Sequence, residues 1–324
     1  MSGFRPFPLV RNPHVQSILA SSRLRVRKEA PGLRNAEERI VSTPSGARLL
    51  ALFSRHPAPK GLIVLLHGWE GSSSSTYMID AGTYFLRRGF SVCRLNLRDH
   101  GESHHLNEGL FHGALLDETF EAVDLLAGPA ESGPAFLVGF SLGGNFALRI
   151  ARRYSGLGRS GVRAVFAVSP PLDPFKTTVA IDRGPSIYLR YFLTKWKRSL
   201  ERKQRLFPHL YRFDGMLDAG TCLDLTERIM PYFREFPTYR DYFELYTLRD
   251  AFFDGLEIPV TIFISDDDPV IPGEDYDALS EHRNLRVVRT RYGGHCGFID
   301  LFPLRRRYHE EIYAAISTFF NVAP

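Results

Sequence analysis

Cysteine is scarce in this chain of 324 residues: Cys93, Cys222 and Cys296 are the whole set. An odd, sparse set without C-x-x-C spacing excludes a disulfide framework and a cysteine metal site. It fits a reducing compartment, and a cytoplasmic location is expected. Long apolar runs are also missing. None approaches the roughly 20 residues that span a bilayer. Met1 to Ala20 lack a basic stretch followed by an apolar one, so they do not read as a signal peptide. Charge of one sign is not in large excess: 41 Lys and Arg against 36 Asp and Glu leave a net charge of +5. The basic residues are dispersed, with no zinc-finger spacing and no aromatic–basic repeat, which argues against nucleic acid as a partner. There is no internal repeat and no low-complexity tract. What remains is 44% hydrophobic and 24% charged, the balance of a globular protein with a sizeable core.

Local patterns divide the chain. Glu38–Thr43 and Ala47–Ser54 read as two strands joined at Pro44-Ser45-Gly46, a hairpin turn signal. Gly61–Leu66, Phe90–Leu97, Ala135–Phe140 and Val162–Val168 are short apolar runs of the kind buried on both faces of a sheet. Helical patterns at Tyr77–Arg88, Leu115–Ala127 (stopped by Gly128-Pro129) and Leu142–Tyr154 separate them. The alternation predicts a mostly parallel sheet covered by helices on both faces. It resumes with strands at Pro259–Ser265 and Leu285–Arg291 and helices at Gly273–Glu281 and Leu304–Phe320. Residues 172–255 break the pattern. They are rich in aromatic and basic residues, with a helix-like run at Ser186–Phe207. They are expected to form a helical cap over the strand C-termini, where open α/β sheets bind ligands. The core would then be residues 1–171 and 256–324.

The most informative segment is Gly139-Phe140-Ser141-Leu142-Gly143, a G-x-S-x-G between a strand and a helix. It has the form of a nucleophile elbow, with serine on a tight turn and its hydroxyl exposed. Gly139 and Gly143 remove the side chains that would obstruct so sharp a bend. The helix that begins behind Ser141 favours a developing oxyanion.

A weak hydroxyl needs a base, and the base an orienting acid. His295, in Gly293-Gly294-His295-Cys296-Gly297, follows the last predicted strand and titrates in the right range. Asp266, Asp267 and Asp268 leave the preceding strand together, which makes the choice of acid ambiguous; Asp268, directly before Pro-Val-Ile-Pro, is favoured. His67-Gly68-Trp69 follows the first buried strand, and the N–H groups of Trp69 and Leu142 are the expected oxyanion donors. The order is the one such an elbow requires.

Other features are assigned blander roles. His100, His104, His105 and His112 crowd a glycine-containing loop but match no metal-binding spacing, so no metal is expected. Cys296 is read as packing. The basic run from Trp196 to Arg205 reads as the solvated face of a cap helix in preference to a membrane-contact surface.

Taken together these residues resemble the α/β-hydrolase fold, and in particular its YheT-like branch, the AB hydrolase-4 family. The matches are Asn12-Pro13-His14-Val15-Gln16, His67-Gly68-x-Glu70-Gly71-Ser72-Ser73, Arg98-Asp99-x-Gly101-Glu102-Ser103, Gly139-Phe140-Ser141-Leu142-Gly143-Gly144-Asn145, Asp267-Asp268-Pro269-Val270 and Gly293-Gly294-His295-x-Gly297-Phe298. The resemblance implies a serine hydrolase of carboxylic esters that uses Ser141, Asp268 and His295 without a cofactor. A thioesterase or a (lyso)phospholipase would use the same residues, and a non-catalytic binder of small ligands is the alternative from another class. The sequence departs from many relatives at Asp99-His100, where a small or cysteine residue usually follows the arginine, and at Trp69, where a smaller aliphatic residue is usual. Trp69 is expected to narrow the acyl pocket.

Overall fold

The apolar runs of the sequence become the inner strands of one eight-stranded sheet in the structure, a computed structural model. Residues 4–22, 30–128, 133–301 and 304–320 are described. The strands are β1 (Glu37–Ser42), β2 (Arg48–Ser54), β3 (Leu62–Leu66), β4 (Ser91–Leu95), β5 (Ala135–Phe140), β6 (Ala164–Val168), β7 (Val260–Ser265) and β8 (Leu285–Thr290). Their spatial order is β1-β2-β4-β3-β5-β6-β7-β8. The first two pairings are antiparallel and the remaining five parallel.

Strand alternation sends successive side chains to opposite faces. Val64, Leu66, Leu137 and Leu95 join one buried cluster, while Ile63, Leu65, Phe136 and Val92 join the other. The helices in chain order are α1 (Pro13–Ser21), α2 (Pro31–Arg34), α3 (Thr76–Leu86), α4 (Leu116–Ala127), α5 (Leu142–Leu157), α6 (Pro174–Arg183), α7 (Ser186–Leu206), α8 (Cys222–Ile229), α9 (Tyr239–Glu244) and α10 (Arg307–Ser317). Helices α4 and α5 cover the first cluster and α3 and α10 the second. The fold is an α/β-hydrolase fold, a mostly parallel central sheet with helices on both faces. Helices α6 to α9 all lie between β6 and β7, and their Ile181, Leu193, Leu225 and Phe243 pack into the first cluster.

Two expected helices differ. Gly273–Glu281 holds one 3-10 turn, Gly273–Tyr276. Its only buried residue is Tyr276, whose hydroxyl donates to the Pro170 carbonyl, so no apolar face extends it. The last helix starts at Arg307, not Leu304. Leu304–Arg306 instead forms β10, paired with β9 (Ile299–Leu301) in a small antiparallel sheet. Arg306 explains the change: it is 1% exposed and donates to the carbonyls of Cys296 and Ala20 and to Asp80. Helix α4 stops where expected, with Gly128 at φ 66°; Pro129 lies outside the described residues.

The basic run in α7 is not simply solvated. Lys195 donates to the Glu70 carbonyl (2.6 Å), Lys197 to that of Ala219 (2.7 Å) and Arg202 to that of Gly101 (3.0 Å), while Lys203 is buried. These cations tie α7 to the loops beneath it.

Candidate active site

Ser141 joins β5 to α5 with φ 51° and ψ −122°, a conformation side-chain-bearing residues seldom adopt. Its N–H donates to the Val168 carbonyl (2.8 Å), which fastens the turn to β6. The flanking glycines are obligatory. A Cβ on Gly139 would lie 2.1 Å from the Gly143 oxygen, and one on Gly143 would lie 2.4 Å from the His67 oxygen.

His295 reaches this serine from the loop after β8. Its Nε2 is 3.0 Å from Ser141 Oγ, and its Nδ1 is 3.0 Å from Asp268 Oδ2. The three adjacent aspartates separate by partner. Asp266 pairs with Arg289. Asp267 accepts the Gly294 N–H (2.8 Å) and so props the histidine loop. Asp268 takes the imidazole, while its other oxygen accepts the N–H groups of Val270 (2.8 Å) and Ile271 (3.0 Å). Burial disfavours the imidazolium of His295, but the Asp268 carboxylate, with Cys296, outweighs it and holds the pKa well above the ordinary histidine value. Cys296 is buried with its Sγ 3.6 Å from the Val168 carbonyl, in packing contact behind the histidine.

The loop after β3 abuts the elbow: a Cβ on Gly68 would be 3.0 Å from Ser141 Cβ. The Gly68 N–H is taken by the Tyr77 hydroxyl (3.0 Å). The N–H groups of Trp69 and Leu142 donate to no described residue. Two buried histidines shape this loop. His67 accepts the Leu97 N–H at Nε2 (3.1 Å), leaving Nδ1–H for the Gly68 carbonyl (2.8 Å). His100 accepts the Glu70 N–H at Nε2 (3.2 Å), leaving Nδ1–H for the Arg98 carbonyl (2.7 Å). Both hold one tautomer and stay neutral: burial drives the pKa of His67 well down and that of His100 to about 4. His104 contacts Ser199 of α7 (2.8 Å) and His112 contacts Glu235 (3.0 Å). The histidine-rich loop thus joins the sheet to α7 and the segment beyond α8. Among the described residues no group of three His, Cys, Asp or Glu side chains is placed to hold a metal.

Helix α1 takes a part in the site that the sequence reading did not give it. Asn12 caps it, accepting the N–H groups of His14 and Val15, and Pro13 fills its first position. Its Ser17 Oγ accepts the His295 N–H (2.9 Å). Gln16, fully buried, donates to the carbonyls of Val10 (2.6 Å) and Ile299 (2.9 Å) and accepts the Ile299 N–H (2.7 Å). The Asn-Pro-His-Val-Gln motif was the available signal: a cap, a helix start and a buried amide.

Two cavities meet at Ser141. One, of about 390 Å³, is lined by α1, the start of α7 and His295. The other, of about 80 Å³, is lined by Leu142, α6 and aromatic residues of the segment before β7. Trp69, Phe192 and Val270 border both. Trp69 is held there by stacking on Phe192 (5.3 Å between centroids) and by the edge of Trp196 (5.1 Å).

The family model described as "Alpha/beta hydrolase family" matches residues 63–306, most of the chain. The chain belongs to this family. Human Protein ABHD15 is 30% identical over 148 residues, which cover 42% of this chain and 31% of that protein. Human Phospholipase ABHD3 is 21% identical over 256 residues, covering 78% of this chain and 62% of that one. The chain therefore spans less than two thirds of the length of these relatives. Among solved structures, the Pyrococcus furiosus esterase Pf2001 superposes with a TM-score of 0.55 at 16% identity, over 86% of this chain and 90% of that one. Est1E of Butyrivibrio proteoclasticus, solved with ferulic acid bound, gives 0.54 at 18% identity, over 87% and 97%. These likenesses show the fold. No helix among the described residues is long and apolar enough to cross a membrane.

Proposed function

We propose that this α/β hydrolase cleaves small-molecule carboxylic esters through an acyl-enzyme on Ser141. The observation that carries the reading is the continuous chain from Ser141 Oγ to His295 to Asp268, with 3.0 Å at each link, on a strained elbow. Ser141 Oγ attacks the carbonyl carbon while His295 Nε2 takes its proton. Asp268 fixes the tautomer and stabilises the imidazolium. The N–H groups of Trp69 and Leu142 receive the oxyanion; one such donor is worth about 3 kcal/mol in the transition state. His295 then protonates the departing alkoxide, and water, activated by the same imidazole, releases the acid. The sequence of steps needs no cofactor.

The residues from 172 to 255 act as a cap on a core made of 1–171 and 256–324. Its aromatic residues supply apolar contact for one side of the ester. A phospholipase or thioesterase would use the same machinery, and the resemblance to Phospholipase ABHD3 supports keeping phospholipids among the trial substrates.

The test is hydrolysis of p-nitrophenyl esters from acetyl to palmitoyl by wild type and Ser141→Ala, with fluorophosphonate labelling in parallel. Turnover and labelling that both vanish in Ser141→Ala are expected. Equal turnover by the two proteins would sink the nucleophile assignment; a wild type that neither labels nor turns over would favour a non-catalytic binder.

A further inference from the structure

Ser141 opens onto two unequal cavities, and only the larger one includes His295 in its wall. That asymmetry orients a substrate. The proton that frees the alcohol must come from His295 Nε2, so the leaving oxygen has to lie on the histidine side of the serine. The alcohol therefore extends into the 390 Å³ cavity, and the acyl group turns toward Leu142 and the 80 Å³ cavity.

The walls agree with this direction. The large cavity is bordered by Ile18, Ile187 and Tyr191, which are 50%, 51% and 44% exposed, so an alcohol can leave and water enter there. The small cavity is lined by Ile181, Phe233 and Phe243, each at most 5% exposed. Trp69, braced by Phe192 and Trp196, keeps a long acyl chain from crossing into the larger space.

We propose that the substrate is an ester of a short-chain acid with a bulky apolar alcohol, the acyl group bound in the small cavity and the alcohol in the large one. This rests on the serine-esterase reading above.

Octyl acetate and methyl nonanoate have the same atoms and nearly the same hydrophobicity, and differ only in which side of the ester is long. Wild type should show kcat/KM at least about tenfold higher for octyl acetate, the scale on which apolar pockets discriminate chain length. Ile181→Ala should raise the rate on methyl nonanoate several-fold. Ile187→Trp should lower the rate on octyl acetate by a larger factor than the rate on methyl acetate. Equal or greater activity on methyl nonanoate, still dependent on Ser141, would overturn the orientation and leave the esterase reading in place. Cleavage of neither ester, nor of methyl acetate, would remove the esterase reading and the orientation with it.

Discussion

The ammonium of Lys203, in α7, lies 2.7 Å from Oδ1 of Asp99, in the loop after β4, and the two side chains are 1% and 5% exposed. Lys203 also donates to the carbonyls of Asn107 (2.7 Å) and Gly109 (2.9 Å). Asp99 in turn accepts the Phe111 N–H (2.9 Å). A buried charge left without its partner is costly. Lys203→Ala is predicted to lower stability by about 3–5 kcal/mol. Urea unfolding measures it, and a loss under about 1 kcal/mol would mean that water reaches the pair. A Lys203→Met, Asp99→Leu double variant should recover much of the loss.

Gln16 lines neither cavity at Ser141, yet three hydrogen bonds tie it to residues 10 and 299 around the histidine loop. It is a positioning residue. Gln16→Ala should lower kcat by about 10- to 100-fold through misplacement of His295, with KM little changed. Steady-state kinetics would show this; a rise in KM at constant kcat would assign Gln16 to binding instead.

With His295 as the base of the proposed reaction, its elevated pKa would set the pH profile. The imidazolium persists to higher pH, so the free base appears only above the ordinary range. The rate should rise with pH, with its midpoint above 6.5. The stability contributed by the Asp268–imidazolium attraction runs the other way. It is full below the unfolded-state pKa and is lost as pH climbs through the folded value. Asp268→Asn should move the midpoint down and cut kcat roughly a thousandfold or more. A profile whose midpoint stays in place in that variant would remove Asp268 from the pair.

Two glycines in one helix should respond oppositely to alanine. At Gly143 the new methyl meets the backbone oxygens of His67 and Leu66 at 2.4 and 2.6 Å, and the elbow must deform. Loss of activity with lowered stability is expected. At Gly156, near the end of α5, nothing lies within 4 Å. Gly156→Ala should stabilise by about 0.5–1 kcal/mol, because it restricts the unfolded chain and suits a helix better. Thermal denaturation of the two variants decides both points.

What could be read from sequence was what depends on neighbours in the chain. The inner strands are short apolar runs closed by turn residues, and they appear within a residue or two of the expected ends. Ser141 was visible because an elbow needs glycines two residues either side. The choice among three aspartates was fixed in space by different partners, Arg289, Gly294 and His295, which adjacency cannot separate. The expected helix at 273–281 failed because helix-compatible residues there have no apolar face to bury. The role of α1 was hidden for a different reason: its contacts reach across more than 270 positions.

That separation has a consequence for how the molecule comes into being. Helix α1 is synthesised well before the loop it grips, residues 294–299, with more than 270 positions between the bonded residues. The elbow and the loop after β3 can take shape on a growing chain, since β3 and β5 are neighbours in the sheet. The imidazole cannot be set until the early helix meets the late loop. A nascent chain therefore carries Ser141 long before it carries His295, and the hydrogen bond between the two waits on a contact made across that separation.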